Sequence, residues 1–236
     1  MDRNDAGRQL AGLLAAFRGD DVVVLAPPGG GMRVAAELAA TLHVLLDVIL
    51  VRPLAVARHP DLVYGILGED ETLLIDTTAV AGGSLCEAER AATEEAQAEI
   101  LRRTAFSLRG DRKRVDLSER TVVVADDCVT DATALRDICR MARLHGAIRI
   151  AVAVPVAARR ELGTLSPYAD KIVCLKTTAQ PPDADRWYVR SDMTTSTDIA
   201  GLLAGNHSRG WSDGFAGGDK RTTPASRSSS SRGRWS

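Results

Sequence analysis

The stretch Thr121-Val122-Val123-Val124-Ala125-Asp126-Asp127-Cys128-Val129-Thr130-Asp131-Ala132-Thr133-Ala134 decides how this chain folds. Its first five residues carry no charge and include three valines, the pattern of a strand buried on both faces. Two adjacent acids end that strand, and small and hydroxyl residues lead into a helical pattern over 132–145. Strand, short loop and helix form the repeating unit of a parallel sheet. Ligands of such sheets lie outside the carboxyl ends of the strands, which is where Asp126 and Asp127 fall.

Working outward, the same unit recurs. Residues 22–26 are wholly apolar and run into Pro27-Pro28-Gly29-Gly30-Gly31, followed by a helical stretch over 33–41. A second buried run covers 45–51 and is interrupted by Pro53. Runs at 62–67 and 72–75 flank Gly68-Glu69-Asp70-Glu71 and predict a hairpin. A Gly- and Pro-free segment over 84–104 predicts a long helix, with Ser84 and Glu87 as a capping box. Charged residues, including Arg109, Arg112, Lys113 and Arg114, predict an irregular segment over 107–120. Beyond the central stretch come a strand at 148–154, a helix at 159–165, a strand at 171–175 and a helix at 196–203. An amphipathic helix over 10–17 precedes everything. The fold class expected is α/β, a doubly wound and mostly parallel sheet with a small hairpin or hood region.

Hydrophobic residues make up 45% of the 236 and aromatic residues only 4%, so the core must be built from aliphatic side chains. The net charge of -1 conceals an asymmetry: residues 206–236 carry six Lys/Arg against two Asp, leaving the rest at -5. The expectation is one domain over 1–205 and a disordered basic tail rich in Ser, Gly and Arg over 206–236. Cys86, Cys128, Cys139 and Cys174 lack C-x-x-C spacing, and neither a secretory signal nor a long apolar span is visible, which points to the cytoplasm and away from membranes. Nucleic acid is disfavoured as a partner of the acidic body, and nothing fixes the oligomeric state, a homodimer being one option.

Two loops can carry chemistry. Pro28, Gly29 and Gly30 follow a buried strand and open a helix, so backbone N–H groups can approach a phosphate there; a tight turn that binds nothing fits equally well. At the second loop, Asp126 and Asp127 can accept hydrogen bonds from a sugar diol, with a helix N-terminus behind them to receive a phosphate. The bland alternative has Asp126 ending the strand and Thr130 or Asp131 capping the helix. Receiver-type modules also cluster acids at strand ends, with Lys176 as a partner here, but the hairpin and the long helix do not belong to such a module.

At these residues the chain resembles the type I phosphoribosyltransferases, and within them a bacterial subgroup. Ala26-Pro27-Pro28-Gly29-Gly30 matches its first loop, Leu46-Asp47-Val48 with Val51-Arg52-Pro53-Leu54 its second strand, and His59-Pro60-Asp61 a following turn. Leu108-Arg109-Gly110, the Asp126-Asp127 loop and Trp187-Tyr188 continue the match in order over about 22–203. The resemblance implies a magnesium-dependent transfer of a phosphoribosyl group from phosphoribosyl pyrophosphate to a nitrogenous acceptor. Asp126 and Asp127 would then be catalytic, holding ribose hydroxyls or offsetting positive charge. Cys128, Val129, Thr130, Asp131, Ala132 and Thr133 would cradle the 5'-phosphate. Pro28, Gly29, Gly30, Arg52 and Arg109 would face pyrophosphate, Arg109 from a mobile loop. Magnesium would arrive with the ligand; no residues are assigned to hold it.

The chain departs from the subgroup where charge matters. Pro28 and Pro53 stand where it has Arg and Lys, Cys128 where it has Gly, and Asp131 where it has Thr. A carboxylate about 4 Å from a unit negative charge costs roughly 4 kcal/mol at an effective dielectric near 20, and a dianionic phosphate feels more. Asp131 therefore either weakens phosphate binding or turns outward as a cap. A non-catalytic relative of the same fold, sensing a nucleotide or phosphate, is the alternative function. Cys128 could be reactive beside a helix N-terminus, though a small packing residue is the commoner case. Trp187 and Tyr188 could cover a base or simply pack.

Overall fold

In the computed structural model, which describes residues 1–19, 21–76, 86–189 and 194–207, a five-stranded parallel sheet forms the body. Helix α1 (Arg3–Leu13) leads into β1 (Val22–Ala26), α2 (Gly31–Leu42) and β2 (Leu45–Val48). Three strands follow, β3 (Val51–Val56), β4 (His59–Gly68) and β5 (Leu73–Ile75), and then the long helix α3 (Glu87–Arg109). The chain returns through β6 (Thr121–Ala125), α4 (Thr133–Leu144), β7 (Arg149–Ala158), α5 (Arg159–Leu165) and β8 (Lys171–Thr178). The short α6 (Ala184–Trp187) and α7 (Ser196–His207) complete it.

Strand order is β2-β1-β6-β7-β8, all neighbours parallel. β1 and β6 are buried at every position, as their unbroken apolar sequences require. Alternate residues feed two aliphatic cores. Val22, Val24, Ala26, Val123 and Ala125 pack with α1, α2, α3 and α7 on one face; Val23, Leu25, Val122 and Val124 pack with α4 and α5 on the other. Doubly wound architecture follows from that division. The chain leaves β1 toward β2 on one side and comes back to β6 on the other, which makes the β1/β6 boundary the switch point of the sheet.

The apolar run over 45–51 does not make one strand. Ile49 N–H still donates to Ala26 O at 3.0 Å, but the chain then leaves the sheet, and β3 joins β4 and β5 in a separate antiparallel sheet of three strands. The expected hairpin is thus the β4–β5 half of a larger hood. Pro53 is tolerated because β3 is an edge strand. His59 opens β4 directly after the turn that joins it to β3.

Three helices also differ in extent from expectation. Helix α1 begins at Arg3, set by a reciprocal capping box of Asp2 and Asp5, and ends before Phe17. Helix α3 is capped by Cys86 without a side-chain bond, Ser84 lying outside the described residues, and it continues to Arg109 because no Gly or Pro intervenes before Gly110. Helix α7 includes Asn206, whose side chain accepts from Leu46 N–H at 2.9 Å and donates to Val44 O at 3.2 Å. The rest of the expected tail, 208–236, lies outside the described residues.

Candidate functional site

At the switch point the loop after β1 meets the loop after β6. The contact is close enough to dictate glycine: a Cβ on Gly30 would lie 2.1 Å from Asp127 Oδ2, and one on Gly31 would lie 2.5 Å from Asp126 Oδ1. Gly29 adopts φ +140°, a conformation that also favours glycine. Gly30 and Gly31 open α2 with no side-chain cap, so the positive end of that helix faces the acid pair. Pro28 adds no charge.

Asp126 and Asp127 stand side by side, and Asp127 N–H donates to Asp126 Oδ1 at 2.8 Å. Burial and the neighbouring Asp127 push the Asp126 carboxyl well above the usual carboxylate range. Asp127 is held from the opposite side by Arg3, whose Nε donates to Oδ2 at 2.8 Å, both side chains being largely buried. Tyr188 completes the enclosure, its hydroxyl donating to Asp127 O at 2.6 Å and its ring lying 4.5 Å from the Arg3 guanidinium. Sequence reasoning passed over Arg3, since the 124 residues separating it from Asp127 leave no local signal.

The phosphate-loop candidates divide. Val129 is pinned to β7 through Val156 O and Ala158 N–H. Asp131 turns back as a cap, its Oδ1 accepting from Thr133 N–H at 2.7 Å, and Thr133 holds the carboxyl below the usual carboxylate range. Ala132 N–H donates to Glu161 Oε2 at 3.1 Å. Glu161, buried at the start of α5, was not singled out from sequence; it reaches the loop across 29 residues. Two carboxylates therefore occupy backbone donors at the mouth of α4. Thr130 is exposed, and Cys128 is half-buried with its thiol pushed up to about 12 by burial and the adjacent acids, which leaves it protonated.

The two arginines expected near pyrophosphate are engaged elsewhere. Arg52 donates to Gln97 on α3. Arg109 lies in the last turn of α3 rather than in a mobile loop, which corrects that expectation. It is 7% exposed and donates to Asp47 Oδ1 at 2.7 Å, to both oxygens of Glu69 and to Val48 O. Asp47 Oδ2 accepts from Val115 N–H at 2.8 Å. This cluster fastens β2, the hood and α3 together. Among the described residues no group of three or more His, Cys, Asp or Glu is arranged to hold a metal, and no helix is long and apolar enough to cross a membrane.

Comparison with known proteins agrees with this architecture. The phosphoribosyl transferase domain family matches residues 4–190. Proteins of two Mycobacterium tuberculosis strains, both named as candidate phosphoribosyl transferases, are 37% identical over 206 residues, which is 87% of this chain. The chain spans about half the length of these curated relatives, 46% of it being matched. The crystal structure of TT1426 from Thermus thermophilus superposes with a TM-score of 0.75 at 28% identity, covering 86% of this chain and 96% of that one. An acid pair at the switch point of a doubly wound sheet, a glycine loop fitted to it and a match over most of the sequence agree: the chain belongs to the phosphoribosyl transferase domain family.

Proposed function

We propose that the crevice between β1 and β6 binds phosphoribosyl pyrophosphate and that the chain transfers its phosphoribosyl group to a nitrogenous acceptor, releasing pyrophosphate. The observation that carries this reading is the fit of Gly30 and Gly31 against Asp127 and Asp126, which leaves no room for a side chain between the two loops. Asp126 and Asp127 would accept from ribose hydroxyls and offset the positive charge that develops at the anomeric carbon. The N-terminus of α2 would face the pyrophosphate through its backbone donors.

The donor set suits magnesium in one manner only. Asp126 and Asp127 are hard oxygen ligands but make a pair and not a cage, which fits an ion that keeps most of its coordination to water and ligand phosphates. Bound there, magnesium would neutralise charge on the departing pyrophosphate.

A second reading is favoured by one observation. Glu161 and Asp131 occupy the N–H groups of Ala132 and Thr133, and both carry charge that opposes a 5'-phosphate. On that reading the chain is a non-catalytic relative that senses a nucleotide or phosphate. Calorimetric titration with phosphoribosyl pyrophosphate and magnesium at low ionic strength separates the two. Micromolar binding that is lost in Asp126→Asn/Asp127→Asn, with pyrophosphate release on adding a nitrogenous base, supports transfer. Wild-type protein that shows no binding up to millimolar ligand sinks it and leaves the regulatory reading.

A further inference from the structure

Arg3 lies where the two loops meet. Its Nε is 2.8 Å from Asp127 Oδ2, and a Cβ on Gly30 would lie 2.9 Å from the same nitrogen. Helix α1 thus delivers a guanidinium to the edge of a glycine loop that carries no cation of its own. Arg52 donates to Gln97 and Arg109 pairs with Asp47 and Glu69, while Pro28 and Pro53 carry no charge. We propose that Arg3 is the side chain that pairs with the pyrophosphate group of the ligand, an inference that rests on reading the crevice as a phosphoribosyl pyrophosphate site.

Three physical arguments support it. A guanidinium matches phosphate oxygens with paired, charge-assisted hydrogen bonds, which a lone ammonium does not. The Tyr188 ring, 4.5 Å away, holds the guanidinium plane without using its N–H groups. Exchange of partners also keeps Asp127 compensated, because ribose hydroxyls or magnesium can take it over as pyrophosphate pairs with Arg3. In this account the Arg3–Asp127 pair is the ligand-free arrangement of two groups that each face part of the ligand.

The test titrates inorganic pyrophosphate with magnesium into the full chain and into Arg3→Gln, Arg3→Lys and Arg8→Gln. Arg8 lies on the same helix but pairs with Asp5 and Glu37 at the surface, so its variant controls for α1 itself. Expected is a loss of at least about tenfold in affinity for Arg3→Gln, a smaller loss for Arg3→Lys, and none for Arg8→Gln. Thermal melts run alongside, and Arg3→Lys, which keeps the charge at Asp127, supplies the comparison if Arg3→Gln folds poorly. Affinity that is equal or higher in both Arg3 variants overturns the inference while leaving the crevice reading in place, since Arg3 would then only plug the site. Wild-type protein that binds neither pyrophosphate nor phosphoribosyl pyrophosphate overturns both.

Discussion

Replacing Arg109 with Met tests whether this residue holds the fold together or waits for a ligand. The substitution keeps a long side chain at the end of α3 but strands two acids, Asp47 and Glu69, whose side chains are 3% and 7% exposed. Removing one partner of a buried ion pair costs about 3–5 kcal/mol. Burial already pushes Glu69 above the usual carboxylate range while Arg109 pulls it down, so without Arg109 it should take up a proton, which keeps the loss near the lower end. For a domain of this size each kcal/mol moves the melting temperature by ~2–4 °C, so a loss near 3 kcal/mol lowers it by about 6–12 °C. Urea denaturation should show the same loss, and adding Glu69→Gln should restore part of it, because a neutral amide there needs no proton. A variant that melts within about 2 °C of wild type but loses affinity for pyrophosphate would refute the structural assignment and return Arg109 to the ligand.

Three further outcomes follow from single residues. Gly30→Ala, whose Cβ would meet Asp127 Oδ2 at 2.1 Å, should fold but displace the acid pair, costing about 1–3 kcal/mol and most ligand binding; Gly12→Ala, with nothing within 4 Å and an exposed helical position, should stabilise by roughly 0.5–1 kcal/mol. His145 is held below its ordinary pKa by burial and then by Arg114, so the folded state binds its proton less readily than the unfolded chain. Its contribution to stability is therefore present above about pH 6.5 and is lost as pH falls through the lower folded value; chemical denaturation across that window should show the decline, and His145→Gln should flatten it.

The parts of this fold that were legible in the sequence are those written in short-range pattern. β1, β6 and the helices behind them follow from unbroken aliphatic runs and from glycines and acids at fixed offsets. The run over 45–51 misled because six apolar residues around Asp47 say nothing about which sheet they join, and the bond from Ile49 to Ala26 is a long-range fact. Arg109 looked like part of a charged loop because helix propensity does not distinguish an exposed arginine from one neutralised by Asp47 and Glu69. Asp126 and Asp127 were visible as a pair. Arg3, which holds Asp127, and Glu161, which holds Ala132 N–H, were invisible because each reaches its partner through tertiary packing.

The strand order also bears on how the chain assembles. β6, β7 and β8 are consecutive neighbours within residues 121–178, joined only by α4 and α5, whereas β1 must wait for β6 to arrive from about 95 residues away. Loop closure makes that central pairing the slow one, and contacts of long sequence separation dominate folding times. The second half of the chain is thus the natural nucleus, with β1, β2 and the hood condensing on it. The two loops that form the crevice come from opposite sides of that divide, so the crevice is completed only in the last stage of folding.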